Sequence, residues 1–155
     1  MTVRVPITEQ RDASYDIRIG RGLLAELPEL VGAACPAVRY AVITDSHVGK
    51  LYGAQVVARL RDGALPAELF EFPAGEGNKT RETWASLSDR MLARQFGRDC
   101  AVIALGGGVV GDVAGFVAAT YLRGVPYVQV PTSLLAMIDS AIGGKTGVAD
   151  RKSVV

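Results

Sequence analysis

The sequence predicts an α/β fold with a mainly parallel sheet, and three observations predict it. Short apolar runs alternate with segments whose apolar residues recur at helical spacing. Several runs, such as Ala-Val-Ile-Ala-Leu at 101–105, are apolar throughout, as strands buried on both faces must be. Polar or glycine-rich stretches follow the strands, at the tips where open α/β sheets bind ligands. A chain of 155 residues, 49% hydrophobic, is one domain's worth and can bury a sizeable core. The class is therefore Rossmann-like.

The elements follow in order. Residues 3–7 and 15–19 read as two short strands around a polar turn, and 20–34 as a helix despite Pro28. Residues 39–45 form a buried strand ending on Asp45, and 46–61 a helix. Residues 67–73 alternate as a strand and stop at Pro73; 74–79 are a turn-rich loop. In 80–96, Thr80 precedes a helix with Trp84, Leu87, Met91 and Leu92 on one face, and Gly97 is expected to terminate it. A strand at 101–105, a small-residue helix at 108–122, a strand at 127–131 and a helix at 132–142 complete the pattern.

Composition narrows the partners. Seventeen basic residues against sixteen acidic ones give no reason to expect nucleic acid or an anionic membrane. The N-terminus shows no apolar signal-peptide core. The long apolar stretch 101–122 carries Asp112 and a triple glycine, which argue for strand, turn and helix rather than a membrane span. The two cysteines, Cys35 and Cys100, match no metal spacing and read as buried thiols in a reducing, cytoplasmic setting. A single histidine, His47, and no acidic cluster exclude a complete metal site in these residues.

Candidate chemistry lies at the strand tips. Gly106, Gly108 and Gly111 match G-x-G-x-x-G after a strand and at the start of a helix, where backbone N–H groups and close approach suit a diphosphate. Tight helix–sheet packing would use the same glycines. No acid lies about twenty residues on at the next strand tip, and the carboxylate placed to hold a ribose is Asp45. The Gly-Lys-Thr at 144–146 is not a phosphate loop, because that motif needs glycine where Asp139 stands. Asp139 closes an apolar stretch and is expected to be paired, hydrogen-bonded or facing a cleft. Arg123 suits a helix C-terminus, and Glu76 with Lys79 a solvated pair.

Residues 104–148, with Ile-Thr-Asp-Ser-His-Val-Gly-Lys-Leu-Tyr-Gly at 43–53 and Phe-Pro-Ala-Gly-Glu-Gly-Asn-Lys-Thr at 72–80, resemble the signature of 3-dehydroquinate synthases and, next to them, other sugar-phosphate cyclases. The resemblance implies cyclisation of 3-deoxy-D-arabino-heptulosonate 7-phosphate to 3-dehydroquinate with release of phosphate. It implies catalytic NAD⁺, a divalent metal (zinc or cobalt) and a cytoplasmic homodimer. It places Asp45 at the adenosine ribose, Glu76 and Lys79 in a cofactor loop, and Gly107, Gly108 and Val109 along the diphosphate. Asp112 falls toward the nicotinamide side, Thr132 and Ser133 match a cofactor-binding Thr-Thr pair, Asp139, Ser140 and Lys145 fall around the nicotinamide and substrate, and Arg123, Asp139 and Lys145 match substrate-contacting positions. A further reading is a non-catalytic NAD-binding module.

Residues 1–149 are thus expected to be an NAD-binding domain. After Val148 the resemblance fails: Val154 and Val155 stand where relatives carry Lys and Asn, and the family's helical metal-binding domain does not follow. Residues 150–155 are read as a non-native, adapter-derived tail, which an independent read of the locus tests. The chain alone is expected to be inactive, with NAD binding weak.

Overall fold

The structure, a computed structural model, describes residues 14–149. Its elements are α1 (Leu23–Ala34), β1 (Arg39–Asp45), α2 (Ser46–Val48), a π-helical turn Gly49–Gly53, α3 (Ala54–Asp62), β2 (Ala67–Phe72), α4 (Arg81–Ala93), β3 (Cys100–Gly106), α5 (Gly108–Thr120) and β4 (Tyr127–Pro131). The four strands form one sheet in the order β2-β1-β3-β4. Every pairing is parallel, with Val42 opposite both Leu69 and Ile103, and Ile103 opposite Val128.

Strand alternation divides the core in two. Ala41 and Ile43, Phe70 and Phe72, and Val102 and Ala104 point toward α4 and α5. Tyr40 and Val42, Ala101, Ile103 and Leu105 point toward α1 and α3. The continuous apolar run of β3 is thereby explained: all seven of its residues are buried. Thr44 is the buried polar exception, and its hydroxyl donates to Leu105 O at 2.7 Å. Cys35 and Cys100 are buried free thiols, and burial pushes both above their ordinary titration range. The stretch 101–122 resolves into β3, a turn and α5, and no helix among the described residues is long and apolar enough to cross a membrane.

Helix ends are set by side chains. Thr80 caps α4, its hydroxyl accepting from Thr83 N at 3.2 Å. Replacing Thr80 by alanine is expected to cost about 1 kcal/mol in urea denaturation. The helix stops at Ala93, not at Gly97 as expected. Gln95 makes the left-handed turn at φ 59°, which lets Phe96 bury against Phe70. Arg39 Nη1 donates to Arg94 O at 2.6 Å and Gln95 O at 3.3 Å, satisfying carbonyls at the helix end.

Three other expectations change. The strand at 3–7 lies outside the described residues. Residues 15–19 form no strand; Tyr15, Ile17 and Ile19 are exposed, and no described strand pairs with them. The helix at 132–142 shrinks to a short helical stretch centred on a π-turn at Ala136–Ser140. Its apolar residues Leu134, Leu135, Met137 and Ile138 are exposed, so the packing that stabilises most helices is missing there.

Candidate functional site

The strand order places β1 beside β3, with one crossover running outward to β2 and the others toward β4. That is a topological switch point, where the loops leaving adjacent strands diverge and open a crevice at the carboxyl edge. Asp45 ends β1, and Gly106 ends β3 next to it. Asp45 Oδ1 accepts from His47 N at 2.9 Å and Val48 N at 2.8 Å, capping α2. Its other carboxylate oxygen has no hydrogen bond among the described residues. His47 is exposed and serves here through its backbone.

Gly107 and Gly108 turn the chain from β3 into α5, and both adjoin hydroxyls. A Cβ on Gly107 would lie 3.3 Å from Ser133 Oγ, and one on Gly108 3.2 Å from Ser140 Oγ. Ser140 Oγ is buried and has no hydrogen-bond partner. Thr132 N donates to Gly106 O at 3.0 Å, which brings the β4 tip against the same turn. Val109, in the first turn of α5, also packs on the core. The α5 N-terminus therefore presents backbone N–H groups in a setting of small residues and hydroxyls, which fits a diphosphate.

Lys79 reaches across from the loop after β2. Its Nζ lies 2.7 Å from Asp112 on α5 and 3.4 Å from Glu76. The expected solvated Glu76–Lys79 pair is thus secondary, for Glu76 is 71% exposed while Asp112 is 27% exposed. Ser46 Oγ accepts from Ala74 N at 3.0 Å and holds this loop beside the β1 tip. A pocket of about 340 Å³ is lined by Glu76, Lys79, Asp112, Lys145 and residues 146–149.

The hydrogen bond that Lys79 donates to Asp112 is the main reason Lys79 titrates above its ordinary 10.5; burial opposes it, and the charges of Asp112 and Glu76 add to it. Lys79 is an ammonium at neutral pH and not a general base. A value raised in the folded state stabilises the fold wherever the unfolded lysine is also charged, and that stabilisation is lost as pH rises past 10.5 and through the folded value. Lys79→Met is expected to lower Tm by roughly 2 °C near pH 8, as suits a partly exposed pair. Melting curves should show the difference shrinking above about pH 11.

Not every sequence candidate arrives at this edge. Asp139 lies in the Ala136–Ser140 turn and is exposed, and among the described residues no ion pair joins it to Lys145. Arg123 sits at the far end of α5, beyond its C-terminus, about 20 Å from Gly108 along the helix. There Val102 N bonds Pro126 O, marking the amino edge of the sheet. Leu122, Arg123 and Gly124 all have positive φ (48°, 76° and 104°), so this exposed turn is held in a sparsely populated conformation. Sequence reading missed the partnership of Lys79 with Asp112. The only available signal was that both flank predicted strand tips.

Fold and site together define a doubly wound parallel α/β domain with a glycine-rich turn at its switch point. The family described as "3-dehydroquinate synthase N-terminal" matches residues 69–154, and the chain belongs to that family. A 3-dehydroquinate synthase from Symbiobacterium thermophilum is 49% identical over 141 residues, covering 90% of this chain and 39% of that protein. Among solved structures, the 2-epi-5-epi-valiolone synthase ValA from Streptomyces hygroscopicus, with NAD⁺ and Zn²⁺ bound, is 38% identical. Its TM-score is 0.79, over 95% of this chain and 40% of that one. A 2-deoxy-scyllo-inosose synthase complexed with carbaglucose-6-phosphate, NAD⁺ and Co²⁺ is 31% identical, with TM-score 0.73 over 80% of this chain and 35% of that one. The chain therefore spans about 40% of the length of the relatives it matches.

Proposed function

We propose that this chain is the dinucleotide-binding part of a 3-dehydroquinate synthase, a carbon–oxygen lyase that cyclises 3-deoxy-D-arabino-heptulosonate 7-phosphate and releases phosphate. The observation that carries the reading is the convergence of Asp45, the Gly106–Gly108 turn and the Lys79–Asp112 pair at one switch point. The 49% identity to a named 3-dehydroquinate synthase, against 38% and 31% to cyclases of other products, favours this member of the superfamily.

NAD⁺, when bound, supplies a hydride acceptor. The chain's own residues bind and orient it. Backbone N–H groups of Gly107, Gly108 and Val109 at the α5 N-terminus face the diphosphate. The buried, unpartnered Ser140 hydroxyl and the Ser133 hydroxyl beside the glycines supply polar contacts there, with Thr132 at the same strand tip. The second oxygen of Asp45 accepts from a ribose hydroxyl while the first keeps α2 capped. Asp112 and Glu76 hold Lys79 as a fixed cation at the edge of the pocket, and Lys145 adds a second positive charge for an anionic substrate. Asp139 and Arg123 belong to the proposed substrate contacts. Arg123 lies at the opposite edge of the sheet from the Lys145 loop.

Among the described residues, no group of three His, Cys, Asp or Glu is placed to hold a metal ion. The described residues do not fit the zinc or cobalt of this reading. The same reading makes the whole protein a cytoplasmic homodimer acting on a sugar phosphate. Calorimetric titration of the chain with NAD⁺ tests the proposal. Saturable one-to-one binding is expected, and absence of any binding at millimolar NAD⁺ overturns it.

A further inference from the structure

The loop that carries Lys145 is tied down by a face of α5 that has no side chains. Gly111 and Gly115 lie one turn apart on that helix, so their Cα atoms share a face. Tyr127 and Gln129, two apart on β4, present themselves to the same face. Tyr127 donates its hydroxyl to Gly111 O at 2.8 Å, and a Cβ on Gly111 would lie 3.1 Å from Gln129 Oε1. Burial raises the Tyr127 phenol well above its ordinary value, with the Asp112 charge adding to it, so this donor keeps its proton. At Gly115 the fit is tighter. An added Cβ would collide with Thr146 Cγ2 and stand 3.0 Å from Thr146 Cβ and 3.3 Å from Tyr127 Cζ.

Thr146 is the residue after Lys145, and the loop around it is anchored on both sides. Gln129 Nε2 donates to Ala141 O at 3.3 Å, before the lysine. After it, Val148 packs on the core shared by α4 and α5, and Ala149 N donates to Lys79 O at 2.9 Å. A parallel bridge between Thr80 and Ala149 continues that last contact. Thr146 thus occupies the space left at Gly115, and the Lys145 loop it belongs to lines the same pocket as the Lys79–Asp112 pair.

We propose that Gly115, with Gly111, is a positioning residue: the groove it leaves along α5 receives Thr146 and so sets Lys145 beside the Lys79–Asp112 pair. The inference deepens the reading of this pocket as the NAD⁺ and substrate site and rests on it for its consequence, though not for its geometry.

A suppressor experiment separates positioning from general packing. In Gly115→Ala the new methyl displaces Thr146, while alanine suits a helix interior better than glycine, so the helix itself is not weakened. Hydrogen exchange is expected to show the Ala149 amide losing protection at least tenfold while β3 amides keep theirs. NAD⁺ titration is expected to weaken at least fivefold. Adding Thr146→Ser removes the methyl that collides and keeps the hydroxyl. The double variant Gly115→Ala/Thr146→Ser is expected to recover Ala149 protection and NAD⁺ affinity to within about twofold of the parent. Unchanged exchange at Ala149 in Gly115→Ala overturns the proposal, as does a loss that Thr146→Ser does not repair. Should the parent chain not bind NAD⁺ at all, the functional reading falls, and the exchange data alone decide the positioning role.

Discussion

Gly108→Val is expected to weaken NAD⁺ binding at least about thirtyfold, a loss of about 2 kcal/mol. Gly108 is the first residue of α5, where N–H groups unused by the helix are free to meet an anion. Its Cβ position already lies 3.2 Å from Ser140 Oγ, so a valine must displace that hydroxyl and place two methyl groups in the remaining approach. The fold itself is expected to tolerate the change, because valine is a better helix residue than glycine. Calorimetry measures the affinity and far-ultraviolet circular dichroism the fold. Parent-like affinity in a folded variant would remove the glycine turn from the binding site.

Phe70→Ala is expected to be the most destabilising single truncation considered, at about 3–5 kcal/mol. Phe70 is fully buried in β2 and meets Phe96 edge-on, with centroids 5.3 Å apart. Arg94 and Arg90 lie over its ring at 5.0 and 5.6 Å. Glu68 pairs with Arg39 and, at 3.4 Å, with Arg94, while Arg39 covers Phe96 at 4.2 Å. Removing the ring leaves a cavity and takes the support from this stack of arginines at the edge strand. Since a domain's whole stability is about 5–15 kcal/mol, the urea midpoint should fall by a large fraction. Leu134→Ala is the matching control: Leu134 is 73% exposed, and its truncation should move the midpoint little.

Much of the architecture was legible before the structure. The four strands stand within a residue or so of their expected limits, because burial on both faces leaves continuous apolar runs. Thr80 announced the start of α4, since a hydroxyl before a periodic segment has one obvious use. The end of α4 was not legible. Glycine is the usual residue for a left-handed stop, but here burial of Phe96 and the Arg39 hydrogen bonds hold Gln95 in that conformation instead. The helix expected at 132–142 failed for a related reason: its periodic apolar residues have nothing to pack against among the described residues.

The sequence by itself determined the α/β class, the four strands of the described sheet, the glycine turn at 106–108 and the 3-dehydroquinate synthase family. Each of these is written in local pattern or contiguous motif. Only the tertiary structure decided that β1 lies beside β3, and hence that Asp45 and the glycine turn share one crevice. It also paired Lys79 with Asp112 rather than chiefly with Glu76, exposed Asp139, and sent Arg123 to the opposite edge of the sheet. Strand order depends on which faces the crossover helices cover, a property of the packed whole. A residue's neighbours across the sheet leave no periodic trace in its own segment.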